Sequence, residues 1–239
     1  MAFHALKLFL PDRPVLTRVW RGPFRGARIV MNPRNSLRKI FGLYEYELND
    51  WIEQALRRVT HVLDVGANDG YFTFGCAAAF RRLGKPGEII AFEPEERCVT
   101  LLRESLATSA VAGVGDPGRA VRIQIIQTLV GRESRPGMIT LDSVRSRFAD
   151  SNDKTATLIK IDVEGAELHV VDGGRSWLRP SNLFAIEVHE RRLLHQVRAF
   201  FAEHDLRLVQ VNQRPLPLLG REMRRENNSW LVSDLARLE

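Results

Sequence analysis

Acidic residues that could do chemistry follow apolar runs at four places in this sequence. Asp64 lies near the end of the first run, Glu93 follows the second, and Asp162 and Glu187 end two later ones. In an open parallel α/β sheet the carboxyl ends of the strands meet at one edge, and ligands bind there. These acids therefore predict a single site at one edge of a sheet.

The first of these segments predicts a strand, a glycine turn and the start of a helix. Gly66 and Gly70 permit positive φ and a close approach of backbone to ligand. A dinucleotide site would show Gly-x-Gly-x-x-Gly, in which backbone amides meet a pyrophosphate. Here the glycines are four residues apart, and Asp64 and Asp69 are poor neighbours for a pyrophosphate. They suit S-adenosylmethionine, which carries an ammonium and a sulfonium, and Glu93 is placed to accept its ribose hydroxyls.

The later acids predict the catalytic part of the site. Asp162, Glu164 and His189 are candidates for a general base, and the sequence does not choose between them. His189 titrates nearest neutrality and shares a strand face with Glu187. Asp162, Glu164 and Glu187 could instead hold Mg²⁺ through oxygen. Carboxylates near a cleft are more often hydrogen-bonding residues, so we expect no metal ligands.

The elements that must position these residues alternate between strand and helix from Thr60 onward. Seven apolar runs predict strands at 61–65, 88–92, 121–130, 157–161, 183–189, 206–211 and 230–233. Helices are predicted at 71–83, 95–108, 166–178 and 191–204. Because several strands are almost wholly apolar, both their faces should be covered, which indicates a doubly wound, mostly parallel α/β sheet. Residues 1–59 do not follow this rhythm. We expect them to form an extension, with a hairpin at 20–32 and a helix at 44–58, packed on a core domain of residues 60–239.

Several segments, in this order and spacing, resemble the motifs of FkbM-type methyltransferases. They are Asp64-Val65-Gly66-Ala67-Asn68-Asp69-Gly70-Tyr71-Phe72-Thr73, Phe92-Glu93-Pro94, Thr140-Leu141-Asp142-Ser143, 159–167 and Ile186-Glu187-Val188-His189. The resemblance is strongest over residues 41–190 and extends over 20–233, although 127–133 departs from the family pattern. It implies a Rossmann-like class I methyltransferase fold with these cofactor-binding residues: Asp64, Gly66, Ala67, Asn68, Gly70, Tyr71, Glu93, Pro94 and Asp162.

The resemblance also implies the reaction. Such a protein transfers a methyl group from S-adenosylmethionine, usually to a hydroxyl oxygen, and the acceptors include sugars and other secondary metabolites. We therefore expect a small-molecule or glycan acceptor. Two alternatives remain open: a binding module for the S-adenosyl nucleotide that has lost catalysis, and an NAD-dependent oxidoreductase, which the missing middle glycine disfavours.

Composition bounds the remaining expectations. The 239 residues are 44% hydrophobic and 27% charged, as in a globular protein, and the two cysteines fit neither a zinc site nor a compelling disulfide. We expect both to be small buried residues, and we expect a cytoplasmic protein because the apolar N-terminal run is too short for a secretory signal.

The charge is concentrated at the N-terminus. The net charge is +6, and residues 1–40 carry nine Lys or Arg and one acid, a balance of +8. Phe3, Leu6 and Leu10, at spacings of three and four, would line one face of a short basic helix. Peripheral contact of residues 1–40 with an anionic membrane is one interpretation, attraction of an acidic acceptor is another, and a solvated flank is a third. No nucleic-acid partner is expected, because no aromatic-rich basic groove accompanies the charge.

Overall fold

The structure is a computed structural model that describes residues 9–110, 120–148, 155–212 and 228–237. The predicted amphipathic helix at 2–10 falls mostly outside them, including Phe3 and Leu6. Within the described part, Leu10 packs against the core, whereas Phe9 is exposed. No helix among the described residues combines the length and apolar character that a bilayer span requires.

Strands and helices alternate through the described residues. The strands are β1 Val15–Arg18, β2 Arg28–Met31, β3 His61–Val65, β4 Gly87–Phe92, β5 Val121–Ile126, β6 Leu129–Val130, β7 Met138–Ile139, β8 Thr157–Asp162, β9 Leu183–Val188, β10 Leu208–Val211 and β11 Ser229–Ser233. The α-helices are α1 Leu37–Ile40, α2 Asn49–Arg58, α3 Tyr71–Leu83, α4 Glu96–Ala110, α5 Glu167–Asp172 and α6 Arg191–Ala202. Short 3₁₀ turns occupy Tyr46–Leu48, Asp142–Arg147, Arg175–Trp177 and Leu235–Arg237.

The core is a seven-stranded sheet in the order β10-β11-β9-β8-β3-β4-β5. Neighbouring strands are parallel except at β11, which is antiparallel to both β10 and β9. Every residue of β3 and of β9 is buried, which explains why β9 is almost continuously apolar. The doubly wound, mostly parallel sheet predicted from the sequence is confirmed.

The strand order reverses beside β3, and this reversal fixes the position of the site. β3 pairs with β4 on one side and with β8 on the other, so that Val65 lies next to both Phe92 and Ile161. One strand further, Asp162 and Glu187 are register partners on β8 and β9. The acids predicted to share an edge therefore do share the edge at which a doubly wound sheet binds ligands.

The N-terminal extension packs on the helical layer over this sheet. The Phe24 ring meets Tyr71 and Phe72 edge-on, with ring centroids 5.1 and 5.5 Å away. A Cβ on Gly75 would lie 2.3 Å from the same ring, so the close packing requires glycine there. Ser105 on α4 accepts the Val30 N–H at 2.8 Å, which ties β2 to the core.

Several predicted boundaries in the core are wrong. The predicted strand 121–130 is two strands, because β6 leaves the main sheet to pair with β7. The predicted helix 166–178 stops after Asp172 at two glycines, and a Cβ on Gly173 would lie 2.0 Å from the Gly131 carbonyl oxygen. The predicted strand 206–211 begins at Leu208, since the Leu206 N–H bonds to Phe201 at the end of α6. The strand predicted to end at 189 ends at Val188.

Two predictions in the extension also need correction. The hairpin is β1–β2 rather than 20–32, because hydrogen bonds between Val19 and both Gly26 and Ala27 close a wider loop between the strands. The helix predicted at 44–58 is α2 preceded by a 3₁₀ turn, with Glu45 at φ 49° before that turn. A left-handed residue cannot lie inside a right-handed helix.

Candidate functional site

The turn between β3 and α3 lies against the end of β8. Gly66 has φ +77°, and a Cβ there would lie 1.9 Å from the Asp162 carbonyl oxygen. Glycine is therefore required on two grounds, conformation and space. Gly70 has φ +85° and immediately precedes α3. We call residues 66–71 the cofactor loop.

The backbone amides of the cofactor loop are largely bound within the protein. Gly66 and Ala67 both donate to the Phe92 carbonyl at 3.0 Å, and Gly70 donates to Ala67 at 2.9 Å. Asn68, at φ +51°, donates to Glu93 Oε2 at 2.8 Å, and Tyr71 donates to Asp69 Oδ1 at 3.2 Å. A pyrophosphate site needs such amides free, so this loop is poorly suited to a dinucleotide.

Carboxylates flank the loop on its ligand side. Glu93 is buried, and its Oε1 accepts the Glu95 N–H at 3.0 Å while its Oε2 holds Asn68. Pro94 is exposed between Glu93 and the start of α4. Carboxylate oxygens accept hydrogen bonds from ribose hydroxyls and attract cationic groups, so this side of the site fits an S-adenosyl ligand.

Two predicted cofactor residues contribute from behind the loop. Asp64 is 0% exposed and accepts the Thr73 hydroxyl at 2.5 Å. We had expected it to face the ligand, and it does not. Tyr71 is buried against Phe24 and Tyr44, so its ring faces the extension. Both side chains hold the loop in place rather than line its ligand side.

A buried lysine joins the loop to the catalytic edge, and the sequence analysis did not single it out. Lys160 Nζ lies 3.2 Å from Asp64 Oδ1 and 3.1 Å from Asp162 Oδ2, and it donates to the Gly66 carbonyl at 2.8 Å. Its burial alone would lower its pKa, but Asp162 and Asp64 raise the pKa above the ordinary lysine value. Burial would raise the pKa of Asp162, but the Lys160 ammonium holds it below its usual range.

The ends of β8 and β9 bring together a second group of side chains. His189 Nε2 lies 3.8 Å from Asp162 Oδ1 and 3.9 Å from Glu187 Oε2, and His189 Nδ1 lies 2.6 Å from Glu167 Oε1. We call Asp162, Glu187 and His189 the edge cluster. Their ligand atoms all lie within 4.8 Å of one another. The hydrogen bond to Glu167, followed by the charges of Glu187 and Asp162, raises the pKa of His189 against the opposing effect of burial.

Glu164 does not join this group, contrary to the expected convergence. Its side chain is exposed, and it makes no hydrogen bond or ion pair with the residues that the structure describes. Glu167, which the sequence analysis did not propose as a site residue, is 0% exposed and holds His189.

The extension also reaches the site. Lys39 Nζ lies 2.6 Å from Asp69 Oδ2 and 5.1 Å from the centre of the Tyr44 ring.

The two cysteines have different surroundings. Cys76 is buried, as expected. Cys98 is partly exposed and lies beside Asn68 and Glu95 rather than among apolar side chains.

Comparison with known protein families decides the identity. The methyltransferase FkbM domain matches residues 64–208, which is more than half of the chain. The chain belongs to the FkbM methyltransferase family. The match begins at Asp64 and takes in the cofactor loop, Glu93 and the edge cluster. The family's methyl donor is S-adenosylmethionine, and the fit of the loop to that ligand agrees with it.

A solved structure agrees on the fold of this FkbM-family chain. A methyltransferase FkbM from Methylobacillus flagellatus KT shares 17% identity with a TM-score of 0.57, and the similarity covers 96% of this chain and 58% of that one. The C-terminal domain of precorrin-6Y C5,15-methyltransferase from Rhodobacter capsulatus shares 16% identity with a TM-score of 0.47, covering 94% of this chain and 97% of that one. The sheet is that of a Rossmann-like class I methyltransferase. No protein in the curated set compared with the chain matches it.

Proposed function

We propose that this FkbM-family methyltransferase methylates a hydroxyl oxygen of a small-molecule or glycan acceptor, such as a sugar or another secondary metabolite. One observation carries the proposal: the cofactor loop and the edge cluster lie at the same sheet edge and are joined by Lys160. Asp162, in the edge cluster, links the two, since one of its oxygens is 3.1 Å from Lys160, which donates to the Gly66 carbonyl, and the other is 3.8 Å from His189.

The cofactor side of the site holds and orients its ligand. Glu93 would accept the ribose hydroxyls, and the glycines let the ligand lie against the loop backbone. Asp69 is paired with Lys39, so Asp162, whose side chain is 27% exposed, would supply negative charge for a cationic ligand. Bound S-adenosylmethionine supplies a methyl group that its sulfonium has already activated. The protein therefore has mainly to align an acceptor, which can be worth roughly 7–11 kcal/mol of barrier in favourable cases.

In this proposal the edge cluster accepts the proton that the acceptor hydroxyl loses. A hydroxyl oxygen that gains a methyl group must lose its proton. A general base near that oxygen increases the reaction rate by about 10²–10⁴-fold. Asp162 has a side chain 27% exposed, against 12% for His189 and 6% for Glu187, so the cluster opens toward solvent at Asp162. An acceptor hydroxyl placed there would contact groups that accept protons.

Two other functions are less well supported. An NAD-dependent oxidoreductase would need loop amides free for a pyrophosphate, and Gly66, Ala67, Asn68 and Gly70 donate within the protein. A non-catalytic binding module would not need a buried carboxylate holding a histidine at the site, as Glu167 does.

An acceptor screen with methyl-labelled S-adenosylmethionine tests the proposal. We expect label in methyl ethers, identified by NMR of the products. His189→Ala should lower kcat by about 10²–10⁴-fold and leave S-adenosylhomocysteine affinity within a few fold. The matched control is His195→Ala, which removes an exposed histidine of α6. Label found only on carbon or nitrogen, or an unchanged kcat in His189→Ala, would contradict the proposal.

A further inference from the structure

The edge cluster has the donor set and spacing of a cation site. Two carboxylates and one imidazole face one gap, with His189 Nε2 3.8 Å from Asp162 Oδ1 and 3.9 Å from Glu187 Oε2. These distances are too long for direct hydrogen bonds. Two ligands held about 2.1 Å from one small divalent cation lie about 3 Å apart when cis and about 4.2 Å apart when trans. The observed separations of 3.8 and 3.9 Å lie between these two values. Small side-chain movements would therefore let all three residues contact one ion.

A second observation points to a ligand at the same place. Glu167 is 0% exposed, and its Oε1 accepts from His189 Nδ1 at 2.6 Å. That bond places a ring proton on Nδ1, so in the neutral imidazole Nε2 carries the lone pair, and a cation that displaces the Nε2 proton would bind there. Glu167 Oε2 is buried and has no hydrogen-bond partner among the residues that the structure describes. A buried carboxylate that orients a histidine in this way is the usual support of a metal-binding imidazole.

The charges around the gap are unbalanced. Asp162 and Glu187 are register partners, so two carboxylates lie side by side with little exposure. Lys160 is already engaged by Asp64, Asp162 and the Gly66 carbonyl. The Asn228 amide donates to Glu187 Oε1 at 3.3 Å but carries no charge. Adjacent carboxylates repel unless a proton or a cation lies between them.

We propose that Asp162, Glu187 and His189 bind one divalent cation, with Glu167 as a positioning residue for His189. Mn²⁺ is the best probe, because it accepts both carboxylate oxygen and imidazole nitrogen. Cation binding does not depend on the proposed function. A bound cation would lower the pKa of an acceptor hydroxyl in contact with it, and this catalytic effect rests on the proposed function.

The test is a titration of the metal-free full chain with MnCl₂. The electron paramagnetic resonance signal of free aqueous Mn²⁺ measures the unbound fraction at each addition. We expect one Mn²⁺ bound per chain. His189→Ala and Glu187→Gln should each weaken binding by at least about tenfold, and Glu167→Gln by about 10–100-fold. His195→Ala and Glu203→Gln remove an exposed histidine and an exposed acid on or just after α6, and they should bind Mn²⁺ like the wild type.

S-adenosylhomocysteine affinity, measured on the same samples, shows that each variant is folded and separates the two proposals. Glu187→Gln preserves side-chain shape, so it remains informative if His189→Ala fails to fold. Two results would overturn the cation site. One is a wild-type chain that leaves all Mn²⁺ free at millimolar concentration, and the other is an equal loss of Mn²⁺ binding in the exposed control variants. Cofactor binding without Mn²⁺ binding overturns only this inference. Mn²⁺ binding without cofactor binding supports it and overturns the proposed function.

Discussion

At the scale of single residues, Glu93 has two connected roles. Its two oxygens accept the Asn68 and Glu95 N–H groups at 2.8 and 3.0 Å, and lone pairs remain for ribose hydroxyls. Glu93→Ala should therefore weaken S-adenosylhomocysteine binding by about 1–3 kcal/mol, measured by calorimetry. Glu104→Ala, an exposed acid of α4, is the control. Equal affinity in both variants would show that Glu93 does not contact the ligand.

Cys98 reports on the same region. Burial, together with the charges of Glu93 and Glu95, raises the pKa of the Cys98 thiol to about 11. Because the thiolate is the reactive form, alkylation of Cys98 by iodoacetamide at pH 8 should be about 100-fold slower in the folded chain than in urea, and its rate should rise with pH up to about 11. Mass spectrometry of the Cys98 peptide measures this. A folded-state rate that levels off near pH 9 would contradict the assigned environment.

Some residue roles could not be predicted from the sequence. Acids near strand ends were easy to identify, but Asp64 faces Lys160 instead of a ligand because the two are register partners on β3 and β8. Register between strands almost a hundred residues apart cannot be read from a pattern of apolar residues. The same limit hid Glu167, whose partner His189 is 22 residues away.

At the scale of elements, the extension fastens the cofactor loop through one ion pair. Lys39 and Asp69 are 17% and 15% exposed and 2.6 Å apart, and Asp69 also accepts the Tyr71 N–H. A double-mutant cycle with Lys39→Met and Asp69→Asn should give a coupling of about 0.5–3 kcal/mol in the free energy of unfolding. Lys39→Met should also weaken S-adenosylhomocysteine binding.

The control for this cycle is Arg28→Met, which removes an exposed cation of β2 from the same extension. It should leave cofactor affinity unchanged. Additive effects of Lys39→Met and Asp69→Asn on unfolding would mean that the ion pair does not stabilise the loop.

Element types followed from the sequence better than element ends. The apolar runs predicted all seven strands of the sheet. Boundaries failed where a long-range contact decides them, as at Gly173, which is pressed against the Gly131 carbonyl. The hairpin of the extension was displaced for a similar reason, since Val19 bonds across a loop whose width no local signal gives.

At the scale of the whole molecule, the sheet brings a cofactor loop and an acidic edge cluster to one edge, and the extension packs on α3, the helix that begins at the end of the cofactor loop. The doubly wound, mostly parallel sheet could be anticipated from the alternation of strand and helix together with the family resemblance. The acceptor could not, because its pocket depends on loops whose sequences carry few constraints. The basic balance of residues 1–40 remains a prediction about partners, with liposome sedimentation at low and high salt as its test.

Ligand binding to the whole chain tests the central claim most directly, namely that the edge beside β3 is an S-adenosyl site. Isothermal titration calorimetry should give saturable binding of S-adenosylhomocysteine at one site per chain, and the same ligand should raise Tm. NAD⁺ under identical conditions should give neither heat nor a shift in Tm, because the loop amides are engaged within the protein. Saturable binding of NAD⁺ with no binding of S-adenosylhomocysteine would contradict the account.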